Sequence, residues 1–140
     1  MDIFEVKNSR QKDDALQVRR IVFIDEQNVP EELEIDEHDN EALHFVGYEN
    51  EEPVAAARLR FVDDYGKLER ICVKKPFRGK AYGKQMIAFM EQTITKQGVQ
   101  KSKLNAQTHA ENFYAGIGYQ TVSDEFMDAG IPHVTMIKSL

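Results

Sequence analysis

From Ile71 to Phe89 the chain reads ICVKKPFRGKAYGKQMIAF, a basic, glycine-containing loop between two apolar runs. A strand, a loop and a helix start in that order leave backbone N–H groups unpaired beside the positive end of a helix dipole. That is chemistry for an anion. Gly79 and Gly83 let a ligand approach the main chain, and Ala81 adds little bulk. Arg78, Lys80 and Lys84 add charge, and Arg78 can grip a diphosphate through two parallel bonds. The loop has neither the GxxxxGK[ST] nor the GxGxxG spacing of nucleotide-binding signatures. The same glycines also suit a tightly packed helix start, so the loop alone leaves both readings open.

Other reactive side chains are scattered. Histidine as a residue type suits proton transfer near neutral pH, so His109 and His133 are possible bases, although a lone histidine more often has a structural or surface role. Arg58 and Arg70 lie on expected strands, where a buried charge needs a partner: a substrate carboxylate or phosphate, or a nearby acid. The single cysteine, Cys72, reads as a small core residue, without the histidine or CxxC context of a nucleophile. The acidic run EELEIDEHDNE lacks calcium-loop spacing and reads as a solvated loop, and no metal is expected.

These residues need a frame. A first strand is expected over Ile3–Lys7, and a helix over about Lys12–Phe23 with Ala15, Val18 and Val22 on one face. Three strands, Leu43–Glu49, Val54–Val62 and Lys67–Lys74, are joined by ENEEP and DDYG turns short enough for an antiparallel meander. The longest helix should run from Gly79 to Lys96, with Met86, Ile87, Met90 and Ile94 inward and Gly98 closing it. A strand over Ser102–Gln107 precedes a short helix, for which Thr108 and Glu111 have capping-box spacing. On it Phe113 and Ile117 form the expected buried stripe, leaving Tyr114 turned off it. Strands at Gln120–Phe126 and His133–Lys138 follow. A helix between two strands implies a parallel crossover, hence a mixed sheet in one domain spanning residues 1–140.

Composition narrows the functions. A formal charge of −6 disfavours general binding to nucleic acid. No apolar run reaches the ~20 residues of a membrane span. The amino terminus has no signal-peptide pattern, and one cysteine suits a reducing compartment, so a cytoplasmic location is expected.

RGKAYG resembles the R/Q-x-x-G-x-G/A signature of the GCN5-related N-acetyltransferase (GNAT) superfamily, with Ala81 where glycine is usual. VRRIVFIDEQNVP, AARLR, NAQTHAENFY and DAGIPH further resemble its ElaA-like or YjcF-like bacterial branch, and these blocks span nearly the whole chain. The resemblance implies an α/β (α+β) fold with a mixed, mostly antiparallel sheet of six to seven strands, splayed at its centre. It implies acetyl-CoA as donor, with the loop from Arg78 to Lys84, Tyr82 included, on the pyrophosphate and the Ile71, Cys72 and Val73 backbone along the pantetheine arm. Asn105 and Gln107 would bond the pantetheine amides or cap the chain locally. The expected partner is a small-molecule amine, with protein lysines or amino termini as another acceptor class and a non-catalytic acyl-CoA sensor as another function. A homodimer stays open.

Acetyl transfer needs a neutral amine, yet a lysine-like amine is neutral in only about one molecule in 2,500 at pH 7. Glu69 is a candidate base, if regular alternation sets it on one face with Ile71 and Val73, or else a salt-bridge partner. Glu26 borders the implied acceptor side, and His109 and His133 are further candidates. Tyr114 falls on the tyrosine that the family sets beside the thioester sulfur, where a phenol can donate a hydrogen bond to the departing thiolate.

Overall fold

The computed structural model describes all 140 residues. Strand β1 (Asp2–Glu5) leads into helix α1 (Ser9–Arg19), which Asn8 caps by accepting the Gln11 N–H at 2.8 Å. The cap starts α1 earlier than the apolar spacing indicates. The helix then widens into a π-helical segment, Arg20–Glu26, and so extends past Phe23. A single turn, α2 (Glu31–Glu34), and a 3-10 turn, Glu37–Asn40, precede the meander of β2 (Leu43–Glu49), β3 (Glu52–Val62) and β4 (Tyr65–Val73). Helix α3 (Tyr82–Lys96) crosses over to β5 (Lys101–Gln107). Helix α4 (Glu111–Ala115) and strands β6 (Gln120–Thr121), β7 (Phe126–Asp128) and β8 (Ile131–Ser139) complete the chain.

The sheet order is β1-β2-β3-β4-β5-β8-β6, with β7 also on β8. All pairs are antiparallel except β4 with β5. The sheet has eight strands and not six or seven, because the expected Gln120–Phe126 strand breaks into β6 and β7, which pair separately with β8. Ala129 and Gly130, both at positive φ (51° and 76°), make the tight turn from β7 to β8.

Both faces of the sheet are covered. Phe45, Ala55, Ala57 and Leu59 pack with Met86, Ile87, Met90 and Ile94 of α3. Their alternates Val46 and Ala56 pack with Ala15, Val18 and Val22, together with Cys72. Period-two alternation thus feeds two cores from one strand. On α4 the expectation reverses: Phe113 is 45% exposed, while Tyr114 and Ile117 pack against the α3-side core. Nor does the capping box form. Thr108 opens a 3-10 turn, and Glu111 accepts the Thr121 hydroxyl at 2.5 Å.

Strand β4 carries the main irregularity. Ala56 faces Cys72 and Arg58 faces Glu69, so Ala57 opposes both Arg70 and Ile71 in a β-bulge. Arg70 sits at φ 56°, a conformation costly for any residue with a side chain. The bulge also resets the alternation. Ile71 and Val73 pack on the α3 side, whereas Glu69 pairs across to Arg58 on the α1 side with Cys72. Glu69 therefore does not share a face with Ile71 and Val73. Strands β4 and β5 pair only at Gly66–Leu68 with Ser102–Leu104, and beyond that they diverge.

The acidic run is not a solvated loop. Arg19, fully buried, binds Glu34 Oε1 at 2.8 Å and Asp39 Oδ1 at 2.7 Å. Arg58, also buried, binds Asp36 at 2.7 Å, Asp39 at 3.0 Å and Glu69 at 2.8 Å. Arginines on α1 and β3 thus draw residues 31–40 down onto the sheet. The arginines beside Asp36, Asp39 and Glu69 outweigh burial and hold all three carboxyls below their ordinary range, Glu69 at about 2.

Removing one partner strands buried charge, so Arg19→Met should lower unfolding free energy by about 3–5 kcal/mol in denaturant titration. Depressed carboxylate pKa values stabilise above the unfolded value of about 4 and lose that contribution as pH falls toward the folded values. Tm should therefore drop between about pH 4 and pH 2, and drop less in Arg19→Met. Helix α3 begins at Ala81 in a left-handed conformation, φ 63° and ψ 23°. Ala81→Gly should relieve that strain and raise stability by about 0.5–1 kcal/mol, read by the same titration.

Candidate active site

Where β4 leaves β5 the sheet opens into a cleft of about 940 Å³. It brings together Glu26, Glu69, Arg70, Ile71, Cys72, Val73, Arg78, Gly79, Ala81, Tyr82, Gly83, Lys84, Asn105, Gln107, His109, Tyr114 and His133. Lys80 and Arg58 lie outside its wall. A side pocket of about 300 Å³ adjoins it, and Glu69, Arg70, Gln107, Asp128 and His133 line both.

One wall is main chain. The Lys74 N–H bonds the Val54 carbonyl, so alternation turns the amides of Val73 and Ile71 away from β3 toward the open wedge. The Val73 carbonyl on that side accepts the Arg78 Nε–H at 2.9 Å. Cys72 turns its thiol to the α1-side core, where burial pushes its pKa up to about 12, so only its backbone can serve the cleft.

The loop after β4 forms the cleft's outer end. The backbone N–H groups of Gly79, Lys80, Ala81, Tyr82, Gly83 and Lys84 have no acceptor within the protein. Gly79, at φ 85°, permits the turn. A Cβ on Gly83 would meet nothing closer than Phe113 Cζ at 4.0 Å, so protein packing does not require glycine there. The open space before its N–H remains as the reason for glycine. Of the cations, Lys84 is exposed and forms no ion pair, while Lys80 reaches back to Glu49 at 3.1 Å. Tyr82, buried beneath the loop, donates its hydroxyl to the same carboxylate. Arg78, expected to face a diphosphate, instead holds Glu26 through two 2.7 Å bonds, tying the π-helical segment to the loop. That pairing keeps Glu26 ionised, its carboxyl lowered by the guanidinium.

At the inner end, Tyr114 is wedged edge-on against Phe113 and Tyr119, with ring centroids 5.2 and 6.0 Å away. Its hydroxyl has no protein partner, and burial pushes its pKa up to about 12. Gln107 donates to Gln27 at 2.9 Å, and its carbonyl meets His109 Nε2 at 2.6 Å. Asn105 accepts the Thr135 hydroxyl at 2.8 Å. His133 Nδ1 lies 2.7 Å from the Ile131 carbonyl, so Nδ1 carries a proton, and in the neutral ring the lone pair is on Nε2. The ring is buried and stacked on Phe126.

Glu69, weighed as a base, is instead bound by Arg58, Arg60 and Lys67 at 2.8, 2.8 and 3.2 Å. A carboxylate held at about 2 accepts a proton poorly. Sequence reasoning missed Gln27, which the π-helical segment delivers, and Asp128, which the Ala129–Gly130 turn holds at the cleft. The DAGIPH block was the one available signal for Asp128. It also missed Glu34 and Asp36 on the side-pocket wall, hidden within a run that reads as solvated.

Residues 9–140 match the family described as acetyltransferase (GNAT) domain. The uncharacterised N-acetyltransferase YjcF of Bacillus subtilis strain 168 is 50% identical over 133 residues, covering 94% of this chain and 95% of YjcF. The crystal structure of Escherichia coli ElaA is 29% identical with a TM-score of 0.89, covering 99% of this chain and all of that one. An aminoglycoside 6'-N-acetyltransferase complexed with coenzyme A shares the fold at a TM-score of 0.80 and 16% identity, covering 99% of this chain and 97% of that one. With its splayed sheet, its loop of free amides and a family match over nearly its whole length, the chain belongs to the GNAT acetyltransferases and is an acyltransferase.

Proposed function

We propose that the chain transfers the acetyl group of acetyl-CoA to the primary amine of a small molecule, directly, with both substrates bound at once. The observation that carries this reading is the continuous backbone surface of the cleft. Unpaired amides line the Ile71–Val73 edge, and unpartnered N–H groups run from Gly79 to Lys84 at its outer end. The first suits the amides of a pantetheine arm, the second a pyrophosphate at a helix start. The coenzyme A in the aminoglycoside 6'-N-acetyltransferase structure supports the same choice of donor.

Bound acetyl-CoA supplies an acyl group activated as a thioester. The Val73 N–H, facing the wedge, is suited to polarise the acyl oxygen. His133 Nε2 is the best-prepared proton acceptor, because the Ile131 carbonyl fixes its tautomer and the ring borders both cavities. The amine nitrogen forms the new C–N bond as the C–S bond breaks, and the amine proton passes to His133. Tyr114 meets the charge left on sulfur. Full transfer from a phenol at about 12 to a thiolate of pKa ~8.5 is uphill by about 5 kcal/mol, so Tyr114 acts as a hydrogen-bond donor.

Acetylation of basic proteins draws no support from the acidic run, whose buried members are already paired to arginines. The decisive assay is thiol release from acetyl-CoA across a panel of free amines and basic peptides. Turnover of free amines is expected, while turnover of peptides alone, or binding of acetyl-CoA without turnover, would overturn the reading. Tyr114→Phe should lower kcat by about 10²-fold with acetyl-CoA affinity retained. His133→Gln should lower kcat/KM by a similar factor with acetyl-CoA affinity retained.

A further inference from the structure

We propose that the acetyl acceptor carries an anionic group, a carboxylate or a phosphate, which binds the Arg70 guanidinium in the side pocket while the amine reaches into the main cleft. This rests on the acetyltransferase reading above and names its second substrate by chemistry.

Arg70 stands at the bulge of β4 and lines both cavities. Its Nε and Nη2 donate to the carbonyls of Glu34 and Leu33 at 3.2 and 3.1 Å, and Nη2 also meets Asp36 at 3.3 Å. Nη1 has no protein partner. Two carbonyls therefore fix the guanidinium plane, and Nη1 alone is left to donate to an oxyanion.

The local charge balance points the same way. Arg19, Arg58, Arg60, Arg70 and Lys67 form ion pairs with only Glu34, Asp36, Asp39 and Glu69, five cations on four carboxylates, while Asp128 on the same pocket walls pairs with none of them. Burial, then Arg58 and Arg19, lower the pKa of Arg70, whereas Arg19, Arg58 and Arg60 are all raised. The φ of 56° is a backbone cost incurred at this residue and at no other in β4. An anion on Nη1 would supply the partner that this nitrogen lacks.

Position limits the acceptor's size. Arg70 and Val73 are three residues apart on one strand, roughly 10 Å, and the arginine side chain spans part of that gap. Anion and amine must therefore lie close together in one small molecule. Asp128, which borders both cavities and makes no ion pair, suits the ammonium end of such a molecule before it loses its proton. An acceptor bearing both charges fits this pocket better than a neutral amine or a polycation.

The test compares acceptors that differ only in the anion. Thiol release is measured for amino acids against their carboxamides, and for amino-sugar phosphates against the unphosphorylated sugars. The anionic member of at least one pair should have a kcat/KM about tenfold or more above its neutral partner, and the winning pair identifies carboxylate or phosphate. Arg70→Gln should abolish that preference, mainly through KM, with acetyl-CoA binding by calorimetry as the folding control. Arg70→Lys, keeping charge without the planar fork, should recover part of it. Equal or better turnover of the neutral partners in the wild-type chain would overturn the proposal while leaving acetyl transfer intact. So would an anion preference that survives in Arg70→Gln. Absence of turnover with every amine would remove the acetyltransferase reading itself.

Discussion

The site depends on one strand being unable to satisfy both neighbours along its whole length. Strand β4 stays bonded to β3 almost to its end, but its parallel pairing with β5 stops at Leu68. The extra residue of the bulge follows at once. A bulge bends a strand and increases its twist. Bending here converts a continuous sheet into a wedge whose inner edge is unsatisfied main chain. In a folded interior such groups would be a liability. Set against a ligand rich in amide groups, such as the proposed pantetheine arm, they are suited to binding. The two cores on either side of the sheet keep the wedge from closing or spreading.

The charged cluster is the counterpart of that opening. A splayed sheet loses hydrogen bonds where residues 31–40 must form one wall of the side pocket, and that short segment has almost no apolar side chains to bury. Arginine pairs do the work instead, from Arg19 beneath and Arg58 alongside. Such pairs add little net stability over an apolar equivalent, but they hold their partners in fixed positions. Here the residue held in place is Arg70, through the Glu34 and Leu33 carbonyls and the Asp36 carboxylate.

Much of this was legible from spacing. The α3 face, the meander, the parallel crossover and the glycine loop follow from periodicity and turn residues, and each formed close to its expected bounds. Among the features that were not, three bear on the site. The bulge left no mark in LERICV, because a backbone irregularity between ordinary residues does not disturb composition, and so Glu69 was assigned to the wrong face. The acidic run reads as solvent-facing because local charge density says nothing about arginines 20 residues away. Arg78 looks free for phosphate until Glu26, distant in sequence, is brought beside it. The last two are long-range pairings that overrode a sound local reading.

The π-helical segment from Arg20 to Glu26 carries a consequence for how such a protein can diverge. Its wider turn, seen in the Gln27 N–H to Val22 carbonyl bond at 3.1 Å, accommodates residues that an α-helix would have to rotate elsewhere. Loss of one residue would restore α-helical winding with the residues beyond it still facing as before, so the change would fall on the side chains within the widened turn. Phe23, Glu26 and Gln27 border the cleft from this segment and the turn just after it. The opposing wall is mostly backbone and indifferent to side-chain identity. A single-codon deletion or insertion could therefore recast one substrate's surroundings and leave the other's untouched, a modular route to new acceptors within one inherited scaffold.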